Sequence, residues 1–220
     1  MECIQLSMHN FHAYSRKCHA CIVLKQEVTL TFKRSTIQLP SLRSLSRFIL
    51  KHRFMQIRRA SEADFVAMWA IFHAVVATGD TYVFGAGTGR EEAHVYWLGP
   101  EIDTYVAEIK GNIVGFYKLI PNQRDLGSHV ANASFMVSPS AHGKGVGKAM
   151  GQHCLLEAKK AGYLALQFNF VVSTNKSAVA LWKKLGFAIV GTLPKVFRHQ
   201  TLGFVDAYVM HRFLDDVVAP

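Results

Sequence analysis

His142-Gly143-Lys144-Gly145-Val146-Gly147 is a glycine-rich segment between two stretches of different character. Residues 130–137 before it predict a strand, and residues 146–161 after it have helical spacing up to a stop at Gly162. A turn from strand to helix leaves backbone N–H groups unpaired at the positive end of the helix dipole. Glycines let the backbone approach a ligand closely, and Lys144 and Lys148 add positive charge. The segment therefore predicts a phosphate-binding turn.

Two familiar nucleotide motifs do not fit this segment. A Walker loop requires G-x-x-x-x-G-K-[ST], which the chain lacks. A dinucleotide-binding fold would carry its glycines in the first turn from strand to helix, whereas this turn follows a predicted hairpin well inside the domain.

The remaining pattern predicts an α/β protein whose mixed, twisted central sheet has six to seven strands, with helices on both faces. Gly111-Asn112 is predicted as the tight turn of an antiparallel hairpin. A helix led by Asn175 carries Trp182 on its apolar face and ends at Gly186. The predicted strands are 55–59, 104–110, 113–119, 130–137, 165–172, 187–191 and 205–211, and the other predicted helices are 61–76, with Ser61 as N-cap, and 91–97.

Charge and cysteines divide the chain into two parts. The net charge is +10, but residues 1–54 hold nine Lys or Arg against two acidic residues, so the remainder is only mildly basic. This distribution argues against a nucleic-acid partner. Cys18-His19-Ala20-Cys21 has the spacing of half a zinc site, but no second pair follows, so we expect neither a metal nor a disulfide framework. No apolar run approaches the roughly 20 residues of a membrane-spanning helix.

Residues 1–54 are predicted to be a basic N-terminal extension, and residues 55–220 a single domain. Residues 41–54 have the pattern of a basic amphipathic helix. This helix is compatible with a targeting segment or contact with an anionic membrane, while the alternative is an extension read from a misassigned start codon. We expect a cytoplasmic protein, or a mitochondrial one if residues 1–54 are a transit peptide.

The order of these elements resembles the GNAT N-acetyltransferase superfamily. The similar pieces are the turn at 142–147, Asn175, and Leu181-Trp182-Lys183-Lys184-Leu185-Gly186-Phe187. The resemblance covers residues 55–212 and implies acetyl-CoA as the cosubstrate of an acyl transfer to an amine. It further implies that backbone groups of Met136 and Val137 pair with the pantetheine arm and that Asn175 hydrogen-bonds it. The pyrophosphate would be bound by the amides of His142, Gly143, Lys144, Gly145, Val146, Gly147 and Lys148.

Three positions depart from the superfamily pattern. His142 replaces the usual Arg or Gln, and Trp182 replaces a Tyr proposed as general acid, so we expect Trp182 to pack in the core. Asn132 stands where a Glu base is common. The catalytic residues are left open: Asn132, Tyr163 and Tyr208 are candidates, and the proton of the amine passes to water or to a histidine such as His129 or His199.

A narrower resemblance concerns the acceptor. Phe168-Asn169-Phe170-Val171-Val172-Ser173-Thr174-Asn175, together with Trp182, is similar to acetyltransferases of azetidine-2-carboxylate, which act on small cyclic amino acids. That similarity implies substrate binding by Asn132 and Asn169. Strict alternation in this strand would put Phe168, Phe170 and Val172 on one face and Asn169 on the other. A peptide or protein acetyltransferase, a non-catalytic acetyl-CoA-binding regulatory module and a homodimer stay open.

Overall fold

The computed structural model describes residues 30–32, 35–37 and 55–218 of the chain. The chain divides into two units, residues 1–48 and 49–220. In the first unit, β1 (Leu30–Phe32) and β2 (Ser35–Ile37) pair in antiparallel register. The sequence pattern predicted no strand before Met55, because three-residue strands carry too little periodicity to detect. The amphipathic helix predicted over 41–54 and the Cys18–Cys21 motif lie outside the described residues.

The second unit is built on a seven-stranded mixed sheet, as predicted. Its elements in chain order are β3 (Met55–Arg59), α1 (Phe65–Val76), α2 (Arg90–Leu98), β4 (Asp103–Ile109), β5 (Asn112–Pro121), β6 (Val130–Val137), α3 (Val146–Lys160), β7 (Ala165–Val172), α4 (Lys176–Lys184), β8 (Ala188–His199) and β9 (Gly203–Phe213). The strand order is β3-β4-β5-β6-β7-β9-β8. β6 and β7 run parallel, and every other neighbouring pair in this sheet runs antiparallel.

Helices cover both faces of this sheet, so the unit has two hydrophobic cores. One core joins α1 and α2 to a sheet face that includes Phe116 and Met136. The other joins α3 and α4 to the opposite face, which includes Tyr117 and Leu166. Phe116 and Tyr117 are successive residues of β5, so the alternation of the strand divides its side chains between the two cores.

The predicted start of the first helix is confirmed in outline. A 3-10 turn (Glu62–Asp64) precedes α1, and the Asp64 carboxylate accepts hydrogen bonds from the Ser61 N–H (2.7 Å) and hydroxyl (2.9 Å). Arg58 of β3 donates two bonds of 2.8 Å to the same carboxylate. These contacts fix the direction in which the chain leaves β3.

The predicted bounds of one turn and two strands are wrong. The turn of the β4–β5 hairpin is formed by Lys110 and Gly111, both with positive φ (51° and 80°), while Asn112 already begins β5. A turn with two positive φ angles matches the twist of the flanking strands. β8 and β9 are also much longer than the predicted 187–191 and 205–211, because bulges after Ile189 and Leu193 disrupt the alternation used to detect them.

Over the described residues, no helix has the length and apolar character needed to cross a membrane.

Candidate active site

The site is organised by a gap in the central sheet. β6 and β7 pair only from Val130 opposite Ala165 to Asn132 opposite Gln167, although both strands continue for five more residues. Beyond Asn132 the two strands diverge. A cavity of about 310 Å³ opens there, lined by both strands, by Trp182 of α4 from one side and by Tyr96 of α2 from the other. The cavity therefore reaches both faces of the sheet.

The glycine turn is open to a ligand. Gly143 and Gly145 have left-handed φ angles of 72° and 84°, and a Cβ added at either would meet nothing within 4 Å. The first α-helical bond of α3 runs from the Ala149 N–H to the Gly145 carbonyl (3.0 Å). The N–H groups of residues 146–148 therefore have no acceptor within the helix. This geometry suits an anion at the amino end of α3.

Several residues predicted to bind the cosubstrate also have packing roles. Val146 and Met136 are each only 1% exposed, and their side chains pack in the two cores on opposite faces of the sheet. A Cβ on Gly147 would lie 3.3 Å from Leu181 of α4, so this glycine lets α3 and α4 approach closely. Lys144 is exposed and donates to the Ser140 carbonyl (2.7 Å).

The α4 side of the cavity is aromatic. Trp182 is 7% exposed, and its ring lies 4.8 Å from Phe135 and 4.6 Å from Phe168, between ring centroids. The prediction that Trp182 packs in the core is confirmed. The Asn175 side chain accepts a bond from the Ala178 N–H (3.1 Å), so it caps α4 while lining the cavity.

Side-chain amides cluster where β6 and β7 separate. The Asn132 side-chain amide donates to the backbone carbonyl of Gln167 (3.1 Å). The Asn169 amide donates to the Asn122 side-chain carbonyl (2.7 Å) and its own carbonyl accepts from the Gln167 amide (2.8 Å). Asn132 and Asn169 both line the cavity, on the neighbouring parallel strands where we predicted them. Asn122 was not predicted from the sequence, because it follows β5 in a loop without a periodic pattern.

The strict alternation predicted for β7 is wrong, because the strand contains a bulge between Phe168 and Val171. Phe168 pairs with Met210 and Val171 with Tyr208, which is three steps along β7 against two along β9. Val171 therefore joins Phe168 in the core beneath α3 and α4, where we had predicted Phe170 to point. Asn169 lies within this irregular segment and is exposed to the cavity.

Hydroxyl groups complete the side of the cavity that faces α1 and α2. The Tyr96 hydroxyl lies 3.1 Å from the Ser134 hydroxyl, and the Tyr82 hydroxyl donates to the Phe135 carbonyl (2.6 Å). Burial raises the pKa of both phenols, so both are protonated at neutral pH. None of these three hydroxyls was predicted from the sequence, although Ser134 follows Asn132 by two residues and so shares its face of β6.

The cavity lining contains no Asp, Glu, His, Lys or Arg among the described residues. Tyr163 precedes β7 and His129 precedes β6, so both lie at the end of these strands opposite the gap. Tyr208 of β9 is partly buried against the core beneath α3 and α4. His199 is separated from the lining by Phe197. The ring centroid of Phe197 lies 6.3 Å from that of His199 and 6.3 Å from that of Phe170, which lines the cavity. The structure brings none of these four side chains into the lining.

Comparison with known proteins identifies the family. Residues 69–187 match the model of the acetyltransferase (GNAT) family. A GCN5-related N-acetyltransferase from Kribbella flavida is 41% identical, with a TM-score of 0.70 over 74% of this chain and 99% of that one. The fold is also that of a GNAT superfamily phosphinothricin acetyltransferase from Sinorhizobium meliloti, solved in complex with AcCoA (21% identity, TM-score 0.65, 73% of this chain and 88% of that one). The chain therefore belongs to the GNAT acetyltransferase family.

Similarity to curated proteins covers a shorter segment. N-acetyltransferase aca1 of Schizosaccharomyces pombe is 33% identical over 113 residues, which are 50% of this chain and 53% of that protein. The matched segment thus spans about half the length of that relative.

Proposed function

We propose that this chain is an acetyl-CoA-dependent N-acetyltransferase that transfers the acetyl group directly to the amine of a small amino acid. The observation that carries the proposal is the gap between β6 and β7, because its cavity connects the α4 side of the sheet with a polar face beneath α2. Family membership and the 41% identity to a GCN5-related N-acetyltransferase support the same reaction.

The α3 and α4 side suits acetyl-CoA. The N–H groups of residues 146–148 lack helical acceptors, and Gly143 and Gly145 leave open space beside them, so the pyrophosphate would bind there. Beyond Asn132, residues of β6 no longer pair with β7. In this proposal, backbone groups of Met136 and Val137 bind the pantetheine arm in the gap, and the thioester ends near Trp182.

The acceptor would bind on the opposite face, among the amides and hydroxyls. Asn132, Ser134 and Asn169 offer neutral donors and acceptors, and Tyr96 offers a phenol. Neutral amides donate to a substrate carboxylate without the cost of burying an unpaired cation. Similarity of residues 168–175 to azetidine-2-carboxylate acetyltransferases supports a small cyclic amino acid as the acceptor.

The transfer forms one bond and breaks one. The free amine attacks the thioester carbonyl, a C–N bond forms, the C–S bond breaks and CoA leaves as a thiolate. The amine loses one proton and the thiolate takes up one. Since the described lining holds no carboxylate or imidazole, we propose that water in the cavity carries both protons. A thiol of reference pKa about 8.5 is an adequate leaving group without a dedicated acid.

The test is release of free CoA by the purified full-length chain. Acetyl-CoA would be supplied with a panel of cyclic amino acids, linear amino acids, polyamines and peptides. We expect turnover with small amino acids, cyclic ones foremost. Turnover with peptides alone would favour a peptide or protein acetyltransferase. Acetyl-CoA binding without release for any acceptor would instead favour a non-catalytic regulatory module.

A further inference from the structure

Lys118 is a buried lysine next to the acceptor face. It is 5% exposed, and its ammonium group lies 3.2 Å from the centroid of the Tyr96 ring and donates to the Tyr96 carbonyl (3.0 Å). That carbonyl belongs to the last turn of α2, where a cation is favoured by the helix dipole. Within residues 55–218, no carboxylate forms an ion pair with Lys118.

Neutral groups meet Lys118 from β4, β6 and α2. Thr104 of β4 and Ser134 of β6 are its direct partners across the sheet. Tyr96 and Trp97 face it from α2, the Trp97 ring lying 5.8 Å from the ammonium nitrogen. Burial lowers the pKa of Lys118 to about 8. Because this pKa lies above 7, the lysine keeps its charge at neutral pH.

Tyr96 and Ser134 lie between Lys118 and the cavity. Tyr96 lies against the ammonium group on one side, and its hydroxyl meets the Ser134 hydroxyl within the lining. The described lining itself has no charged side chain. Lys118 is therefore the fixed positive charge behind an otherwise neutral acceptor face, and the low polarity of its surroundings limits screening by water.

We propose that Lys118 is a positioning residue that makes the acceptor site selective for amines bearing a carboxylate. This inference rests on the proposed function and defines its substrate class. The positive field stabilises a bound carboxylate and disfavours an ammonium group, so the acceptor binds as an amino carboxylate with a free, nucleophilic amine. Polyamines and lysine-rich peptides bring further positive charge and are excluded by the same field.

Two variants separate the charge of Lys118 from its hydrogen bond. Lys118→Gln removes the charge and keeps a donor for the Tyr96 carbonyl, whereas Lys118→Arg keeps both. The measured quantity is the ratio of kcat/KM for L-proline to that for L-prolinamide, because the ratio cancels defects common to both acceptors. We expect the ratio to fall about tenfold in Lys118→Gln and to change less than threefold in Lys118→Arg. Thermal unfolding and acetyl-CoA affinity identify any variant that fails to fold.

An unchanged ratio in folded Lys118→Gln would overturn the proposal, since the lysine would then only stabilise α2. Calorimetric binding of L-proline and L-prolinamide to the wild-type chain saturated with CoA gives a second readout without turnover. If proline binds more tightly than prolinamide and this difference is lost in Lys118→Gln, the site selects carboxylates. That conclusion holds even if no CoA is released, and the absence of CoA release would then contradict only the proposed function. Equal binding, or none of either compound, overturns the selection.

Discussion

At the scale of single residues, Gly145 tests where the pyrophosphate binds. Its φ of 84° lies in the left-handed region, and its missing side chain leaves open space beside the N–H groups of α3. Glu and Gln at this position strain the backbone equally, but only Glu brings a negative charge. We expect Gly145→Glu to bind acetyl-CoA at least about tenfold more weakly than Gly145→Gln, by calorimetry. Equal affinities in two folded variants would place the phosphates elsewhere.

Asn169 tests the acceptor site at the same scale. Its side-chain N–H donates to Asn122 and its side-chain carbonyl accepts from Gln167, at the edge of the cavity, where a substrate carboxylate would reach it. Asn169→Ala should raise the KM for a small amino acid by about tenfold, from the loss of about 1.5 kcal/mol of hydrogen bonding, and leave the KM for acetyl-CoA unchanged. Gln167→Ala removes one hydrogen bond to Asn169 but leaves the Asn169 side chain in place, so it should raise the KM for the amino acid by less. Parallel changes in both KM values would assign Asn169 to structure.

At the scale of elements, the junction of β3 and α1 depends on the pairing of Arg58 with Asp64. The guanidinium holds the pKa of the Asp64 carboxyl well below its usual range. Because Arg58 is 35% exposed and partly screened by water, we expect Asp64→Asn to lower the free energy of unfolding by about 2 kcal/mol at pH 7, less than for a fully buried pair.

The pH dependence of this stabilisation has a definite sign. A carboxyl with a lowered folded-state pKa stabilises the protein above its unfolded pKa of about 3.9, and the effect is lost as the pH falls below that value. The stability difference between wild type and Asp64→Asn, measured by urea unfolding, should therefore shrink below about pH 4. A difference that stays constant down to pH 3 would show that the ionised carboxylate is not what stabilises the junction.

At the scale of the whole molecule, residues 55–218 contain all seven strands of the larger sheet and every described residue of its two cores. We therefore predict that a chain lacking residues 1–54 folds and retains acetyl transfer. Thermal unfolding should show one cooperative transition within about 5 °C of the full-length midpoint, and kcat/KM should agree within about twofold. Aggregation or loss of the transition would mean that the extension contributes to the core.

The types and order of the elements followed from local pattern, because hydrophobic period, caps and glycine stops act over a few neighbouring residues. The turn between strand and helix was predicted for the same reason: its glycines, β6 before them and α3 after them are contiguous. The predictions were wrong where the strand alternation is interrupted, as at the bulge near Asn169 and in the irregular strands β8 and β9. A bulge reverses which face later residues occupy, and nothing in the alternation announces it.

The polar face that we propose for the acceptor is assembled only in three dimensions. Tyr82 comes from a loop, Tyr96 from a helix, Lys118 from a strand and Asn122 from the loop after that strand, and no spacing along the chain relates them. They converge because β6 and β7 separate beyond Asn132 and because α2 packs over the strands beside that gap. Strand separation and helix packing depend on contacts between distant segments. The sequence therefore predicted the fold and the glycine turn between β6 and α3, whereas tertiary packing determined which charged and polar groups surround the cavity.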